Sequence, residues 1–170
     1  PYLHLGRPRH VLDGVISGIG LPGGWLHSDL RGNGLVYVVH AFNWTGLDAG
    51  YFGIYAATFD EALDQAMEII DHHMDRIVAE RVPDDELGTA KRLCVITNQT
   101  QSQTNAVQAM NAGVAELYGL GYAYPDTYAE RIEAGTKQEV LEGAKKYLHN
   151  QVTILRRPQP VEEEAVSQTD

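Results

Sequence analysis

GGWLHSDLRGNGLVYVVHAF, residues 23–42, decides the fold, because the chain passes there from helix to strand through one short reversal. Leu26 and Leu30 lie one turn apart, which predicts a short helix over 24–31, and Gly32-Asn33-Gly34 just beyond it tolerates positive φ. Residues 35–42 then read as a strand, dominated by β-branched and aromatic side chains. Residues 51–58 have the same character, and the intervening NWTGLDAG is dense in turn formers. The two runs are therefore expected to pair as antiparallel strands.

Around this hairpin the spacing predicts helices. Val11, Leu12, Val15 and Ile16 recur at helical intervals over 10–18 and stop at Gly18 and Gly20. Thr58-Phe59-Asp60-Glu61 has the form of a capping box, and Ala62, Leu63, Ala66, Met67, Ile70, Met74, Ile77 and Val78 follow it with a period near 3.6. Pro83 and the acids Asp84, Asp85 and Glu86 open a helix expected to reach about residue 101, since proline suits the first turn and acids its positive end. Another follows to Leu117 and ends at Gly119 and Gly121. Pro125-Asp126 starts a short one, and Thr136-x-x-Glu139 is a second capping box for a helix through Leu148. Residues 152–155 carry enough β-branching for a last strand. The chain reads as α+β, an antiparallel sheet packed against several helices: one domain over 1–157, followed by a flexible acidic tail over 158–170.

At 170 residues, with 44% apolar and 21% charged residues, the chain can bury a sizeable core. A net charge of -10 repels phosphate backbones and anionic lipid, and no Lys/Arg run offsets it, so neither nucleic acid nor membrane is an expected partner. No apolar run is long enough to span a bilayer; a soluble protein, cytoplasmic or periplasmic, is expected. The abrupt start suggests a domain truncated at its N-terminus. The single cysteine, Cys94, sits in the apolar run LCVI and reads as a buried thiol.

Catalytic signatures are thin. His72 and His73 are adjacent on one helix and diverge by about 100°, so they cannot hold one ion together. Asp71 and Asp75 share a face and read as solvated surface. No H-x-x-E-H, H-x-x-H or cysteine pair occurs, so no metal ligands and no catalytic residues are expected in this chain. The glycines at 18, 20, 23 and 24 lack the lysine and the preceding strand of a phosphate loop, and read as a tight bend between helices. Arg31 and Tyr37 admit two readings. A cation near a helix C-terminus and an aromatic in a strand are ordinary structural choices. Equally, a helix end, a Gly-Asn-Gly reversal and a strand start bring a guanidinium and a phenol to one lip of the sheet, where both can donate to a carbonyl oxygen.

Several motifs recur in a recognisable order. They are Gly23-Gly24, Leu30-Arg31, Gly34-Leu35-Val36-Tyr37, Glu86-Leu87-x-x-Ala90-Lys91, Tyr118-Gly119, the run Tyr128-Ala129-Glu130-Arg131-Ile132 before Thr136, and Ala144-Lys145-Lys146-Tyr147-Leu148. In this order residues 10–157 resemble the C-terminal, non-zinc half of the zinc metallopeptidase family of insulinase, pitrilysin and mitochondrial processing peptidase. The resemblance implies a substrate-binding domain of a zinc endopeptidase, inactive in isolation, with Arg31 and Tyr37 reaching toward a peptide substrate. It places zinc in an N-terminal half, in the same chain or another subunit, as the expected partner. The alternative it implies is a non-catalytic scaffold or assembly subunit. Gly32 stands where the family usually has an acid, and the loop to the tyrosine is one residue shorter.

Overall fold

The computed structural model describes residues 6–45 and 50–157. Helix α1 (Gly6–Ser17) lies at its centre. Val11, Leu12, Val15 and Ile16 are at most 3% exposed, and burial of each contributes about 2 kcal/mol. They are covered from different sides by β1 (Val36–Thr45), α4 (Asp84–Gln101) and α7 (Lys137–Tyr147).

After α1 the chain turns sharply through Gly18, Ile19 and Gly20, all at positive φ. Gly24, at φ 77°, opens α2 (Gly24–Leu26) hard against the end of α1. A Cβ there would sit 2.7 Å from the Ser17 nitrogen, so the packing of the two helices requires glycine. A π-helical turn, His27–Arg31, extends α2 and buries Leu30 under the sheet. The reversal follows as expected: the Gly34 N–H donates to Arg31 (3.0 Å), with Gly34 at φ 70°, and the Leu35 N–H donates to Leu30 (2.9 Å).

Strand β1 pairs antiparallel with β2 (Gly50–Thr58), from Val38 opposite Ala57 to Thr45 opposite Gly50. The strands run further toward the turn than the expected 35–42 and 51–58, because Asn43 and Trp44 keep the ladder. One face is the core side: Val36, Val39 and Ala41 are buried there, and Phe52, Ile54 and Ala56 of β2 pack beside them.

Helix α3 (Leu63–Ala79) is entered through a 3-10 turn, Asp60–Ala62, and not through the expected capping box. Thr58 is occupied elsewhere: its Oγ1 donates to the Leu35 carbonyl at 2.6 Å, tying the end of β2 to the start of β1. Helices α4, α5 (Asn105–Leu117), α6 (Tyr128–Glu133) and α7 lie where the periodicity puts them. The second capping box forms in full, with Glu139 Oε2 accepting from the Thr136 N–H at 2.8 Å and Thr136 Oγ1 from the Glu139 N–H at 3.2 Å.

The strand expected over 152–155 does not form. Val152 and Ile154 are 83% and 87% exposed, and among the described residues no strand pairs with the segment. It is held along α3 instead, by Gln151 donating to Asp71 (2.9 Å) and by an Arg157–Asp60 ion pair at 3.9 Å. The tail at 158–170 lies outside the described residues. Within them, no helix is long and apolar enough to cross a membrane. Among the described residues the architecture is the expected α+β, a two-stranded antiparallel sheet with helices on its core side.

Candidate functional site

Strict alternation along β1 would give Tyr37 and Val39 the same face, the core face. The ladder departs from alternation at this point. Val36 pairs with Thr58 and Val38 with Ala57, so two steps on β1 match one on β2 and Tyr37 is the extra residue of a β-bulge. The bulge leaves Val36 and Val39 buried and turns Tyr37 outward, 56% exposed. Its ring leans on Phe59, with centroids 4.3 Å apart.

Arg31 stands on the other side of the reversal, exposed, at the end of the π-helical turn. Its Nη1 donates to the backbone carbonyl of Tyr37. The guanidinium and the phenol-bearing residue are therefore brought together at the lip. What couples them is a bond to the Tyr37 main chain, and it uses one of the five guanidinium N–H donors.

From this lip an aromatic surface extends along the outer face of the hairpin. His40, Phe42 and Trp44 of β1 and Tyr51 and Tyr55 of β2 point away from the core, and successive rings touch at centroid distances of 5.3 to 6.0 Å. Trp44, Tyr51 and Tyr55 are each more than half exposed. An exposed apolar surface of this kind marks a binding face more often than an idle one.

On the helical side, a cleft of about 390 Å³ opens between α1, α2, α3 and α4. The Trp25 ring stacks on His73 (5.3 Å), Arg76 lies over it at 4.0 Å, and its Nε1 donates to Glu86. Arg76 also approaches Glu86 at 3.5 Å. His73, 3% exposed, shares a hydrogen bond of 2.8 Å with Asp29 through Nε2. Burial pulls its pKa below the ordinary value, and the Asp29 carboxylate only partly opposes that. Neutral His73 and the paired Arg76 thus lock α2 onto α3 and α4.

A family model described as the peptidase M16 inactive domain matches residues 7–94. The chain belongs to the peptidase M16 inactive-domain family. Three solved structures share its fold. One is a conserved protein from Enterococcus faecalis V583, 17% identical, with a TM-score of 0.69 over 84% of this chain and 33% of that one. Another is the inactive peptidase domain of a "putative zinc protease" from Bordetella parapertussis, 16% identical, with a TM-score of 0.67 over 85% and 78%. The third is a peptidase M16 inactive domain from Pseudomonas fluorescens, 21% identical, with a TM-score of 0.66 over 84% and 34%. The chain thus spans about a third of the Enterococcus and Pseudomonas proteins. No curated protein matches it.

Zinc, named for the Bordetella parapertussis relative, does not suit the described residues of this chain. No group of three or more His, Cys, Asp or Glu side chains is placed to hold an ion. Asp71 and Asp75 are exposed on α3, and His72 points to solvent while its neighbour is buried. Cys94 is 1% exposed, and burial pushes its thiol up to about 12, which leaves it protonated and unreactive at neutral pH. Asp13 is likewise structural: 8% exposed, it accepts from Ser17 at 2.7 Å and from Asn43 at 3.4 Å, linking α1 to β1. No local pattern in the sequence joins Trp25, Asp29, His73 and Arg76. The available signal was the position of His73, on the same helical stripe as Ala66 and Ile77.

Proposed function

We propose that this M16 inactive domain is the substrate-binding half of a zinc endopeptidase, without activity alone and completed by a zinc-bearing half in the same polypeptide or another subunit. The observation that carries the reading is the bulge at Tyr37. A residue that period-2 packing would bury is turned outward beside an exposed arginine. Bulges re-aim side chains, and here the one re-aimed can donate a hydrogen bond.

In this reading Arg31 and Tyr37 bind the peptide. The guanidinium retains donors beyond the one given to the Tyr37 carbonyl, and the phenol adds another. Fixed donors of this kind hold a substrate carbonyl and strengthen their grip as negative charge develops on its oxygen. The outer face of the hairpin supports an extended peptide, with Tyr55, Tyr51 and Trp44 offering flat apolar contacts to alternate side chains. Zinc and the catalytic residues belong to the other half.

The arginine also favours a second reading, a non-catalytic scaffold or assembly subunit, because its bond to the Tyr37 carbonyl braces the bulge without any substrate. Peptide hydrolysis separates the two. The purified chain should be inactive toward unfolded peptides and become active, in a chelator-sensitive way, once joined to its zinc-bearing half. Chelator-sensitive hydrolysis by the chain alone refutes the division of labour, and a joined half without an H-x-x-E-H motif, together with an inactive complex, establishes the scaffold.

A further inference from the structure

The turn that carries Arg31 has the π register: the Gly32 N–H donates to the His27 carbonyl, five residues back, at 2.9 Å. Such turns are rare, mostly single, and frequent at functional sites. Contacts from outside the turn have to select this register over the α one. Gly32 permits it, because a Cβ there would collide with the Ser28 carbonyl oxygen.

Asp29 and His73 supply an outside contact. The Asp29 carboxylate only accepts, so His73 on α3 donates to it through Nε2–H at 2.8 Å, joining residues 44 apart in sequence. Asn33 Nδ2 donates to the main-chain carbonyl of Asp29 at 2.9 Å, so Asp29 is gripped at both side chain and backbone. Leu30, next in the chain, is buried in the core, and Arg31 after it reaches the Tyr37 carbonyl. A second observation concerns what His73 costs. The residue is 3% exposed, and its Nδ1 is buried with no hydrogen-bond partner among the described residues. An unpaired buried nitrogen is unfavourable, so an apolar ring stacked on Trp25 would serve packing better. The bond to Asp29 is what the imidazole adds.

We infer, resting on the reading of Arg31 as a substrate donor, that Asp29 and His73 are positioning residues for Arg31. Their bond holds the turn in its π register and so fixes where the guanidinium stands beside Tyr37. Both act through the main chain of the turn.

Amide hydrogen exchange of the 170-residue chain tests the hold on the turn. His73→Phe keeps a ring against Trp25 and removes the donor; Asp29→Ala removes the acceptor. Each should speed exchange of the Gly32 N–H by about tenfold or more, whereas His73→Gln, which keeps a side-chain N–H, should exchange like the unaltered chain. The Val140 N–H, bonded to the Thr136 carbonyl in α7 at 3.1 Å, should be unaffected. Unchanged exchange at Gly32 overturns the inference, and so does equal acceleration at Val140, which would mean a general loss of stability. In the assembled enzyme His73→Phe should lower kcat by about tenfold with a smaller change in KM, and should add nothing to Arg31→Ala. Additive losses would show that His73 acts independently of Arg31 and would overturn the positioning role. If Arg31→Ala itself leaves kcat unchanged, the functional reading fails, while exchange at Gly32 still decides what holds the turn.

Discussion

Gly24 seats the short helix that carries Arg31, and its replacement by alanine has a calculable cost. At φ 77° an L-residue is strained by about 1–2 kcal/mol. The new Cβ would also lie 2.7 Å from the Ser17 nitrogen and 2.8 Å from Gly18 N and Ile16 C. These are main-chain atoms at the end of α1 and cannot swing aside, so overpacking adds about 1–3 kcal/mol. Alanine's restriction of the unfolded chain returns about 0.4–1 kcal/mol. Gly34→Ala is the matched control: φ is 70°, yet nothing lies within 4 Å of its Cβ position. Urea unfolding followed by the fluorescence of buried Trp25 should therefore show Gly34→Ala destabilised by about 1 kcal/mol and Gly24→Ala by about 2–4 kcal/mol, at constant m. Equal losses, or a larger loss at Gly34, would refute the claim that α2 is clamped by main-chain contact with α1.

Three further outcomes follow from buried groups. His73 titrates below its ordinary value of 6.5 because burial disfavours its cation, so the unfolded chain takes up that proton first. Stability attributable to His73 is present above about pH 6.5 and declines as the pH falls through the lower folded value; unfolding midpoints between about pH 7.5 and 5.5 should drop, less steeply in His73→Gln. A flat profile, or no effect of the substitution, contradicts this. Cys94, with its thiol pushed up to about 12, should resist a thiol reagent at about pH 8 in the folded protein and react stoichiometrically in denaturant; rapid native labelling would show an open site. Trp25→Phe keeps the ring against Arg76 but removes the donor to Glu86, and should cost about 1–2 kcal/mol in thermal or urea unfolding. No loss would mean that the indole N–H is not part of the lock.

Much of the fold was legible because periodicity and turn chemistry are local. The α3 stripe, the proline and acids opening α4, and the Thr136–Glu139 box each announce themselves within a few residues. The reversal at residues 32–34 is equally plain, since Gly32-Asn33-Gly34 tolerates positive φ between a helical leucine pair and a β-branched run. Failures arose where a distant residue decided the outcome. Thr58 carries a capping signature, but the carbonyl of Leu35, 23 residues away, takes its hydroxyl. Residues 152–155 have strand propensity, yet β1 and β2 pair only with each other among the described residues. At the candidate site the sequence brought Arg31 and Tyr37 to one lip, yet it could not reveal the bulge, because an extra residue in a ladder is defined only by its partner strand. In the sequence His73 reads only as half of a divergent histidine pair. Its stacking on Trp25 and its bond to Asp29 join three elements far apart in sequence.

In the proposed function the bulge and the glycine reversal aim two hydrogen-bond donors at a peptide processed elsewhere in the assembly. Steady-state kinetics of the assembled enzyme carrying Arg31→Ala or Tyr37→Phe tests it most directly. The expected result is a kcat lowered by about ten- to a thousand-fold with a smaller change in KM and intact unfolding curves. An unchanged kcat in both variants would return Arg31 to bracing the bulge and Tyr37 to leaning on Phe59.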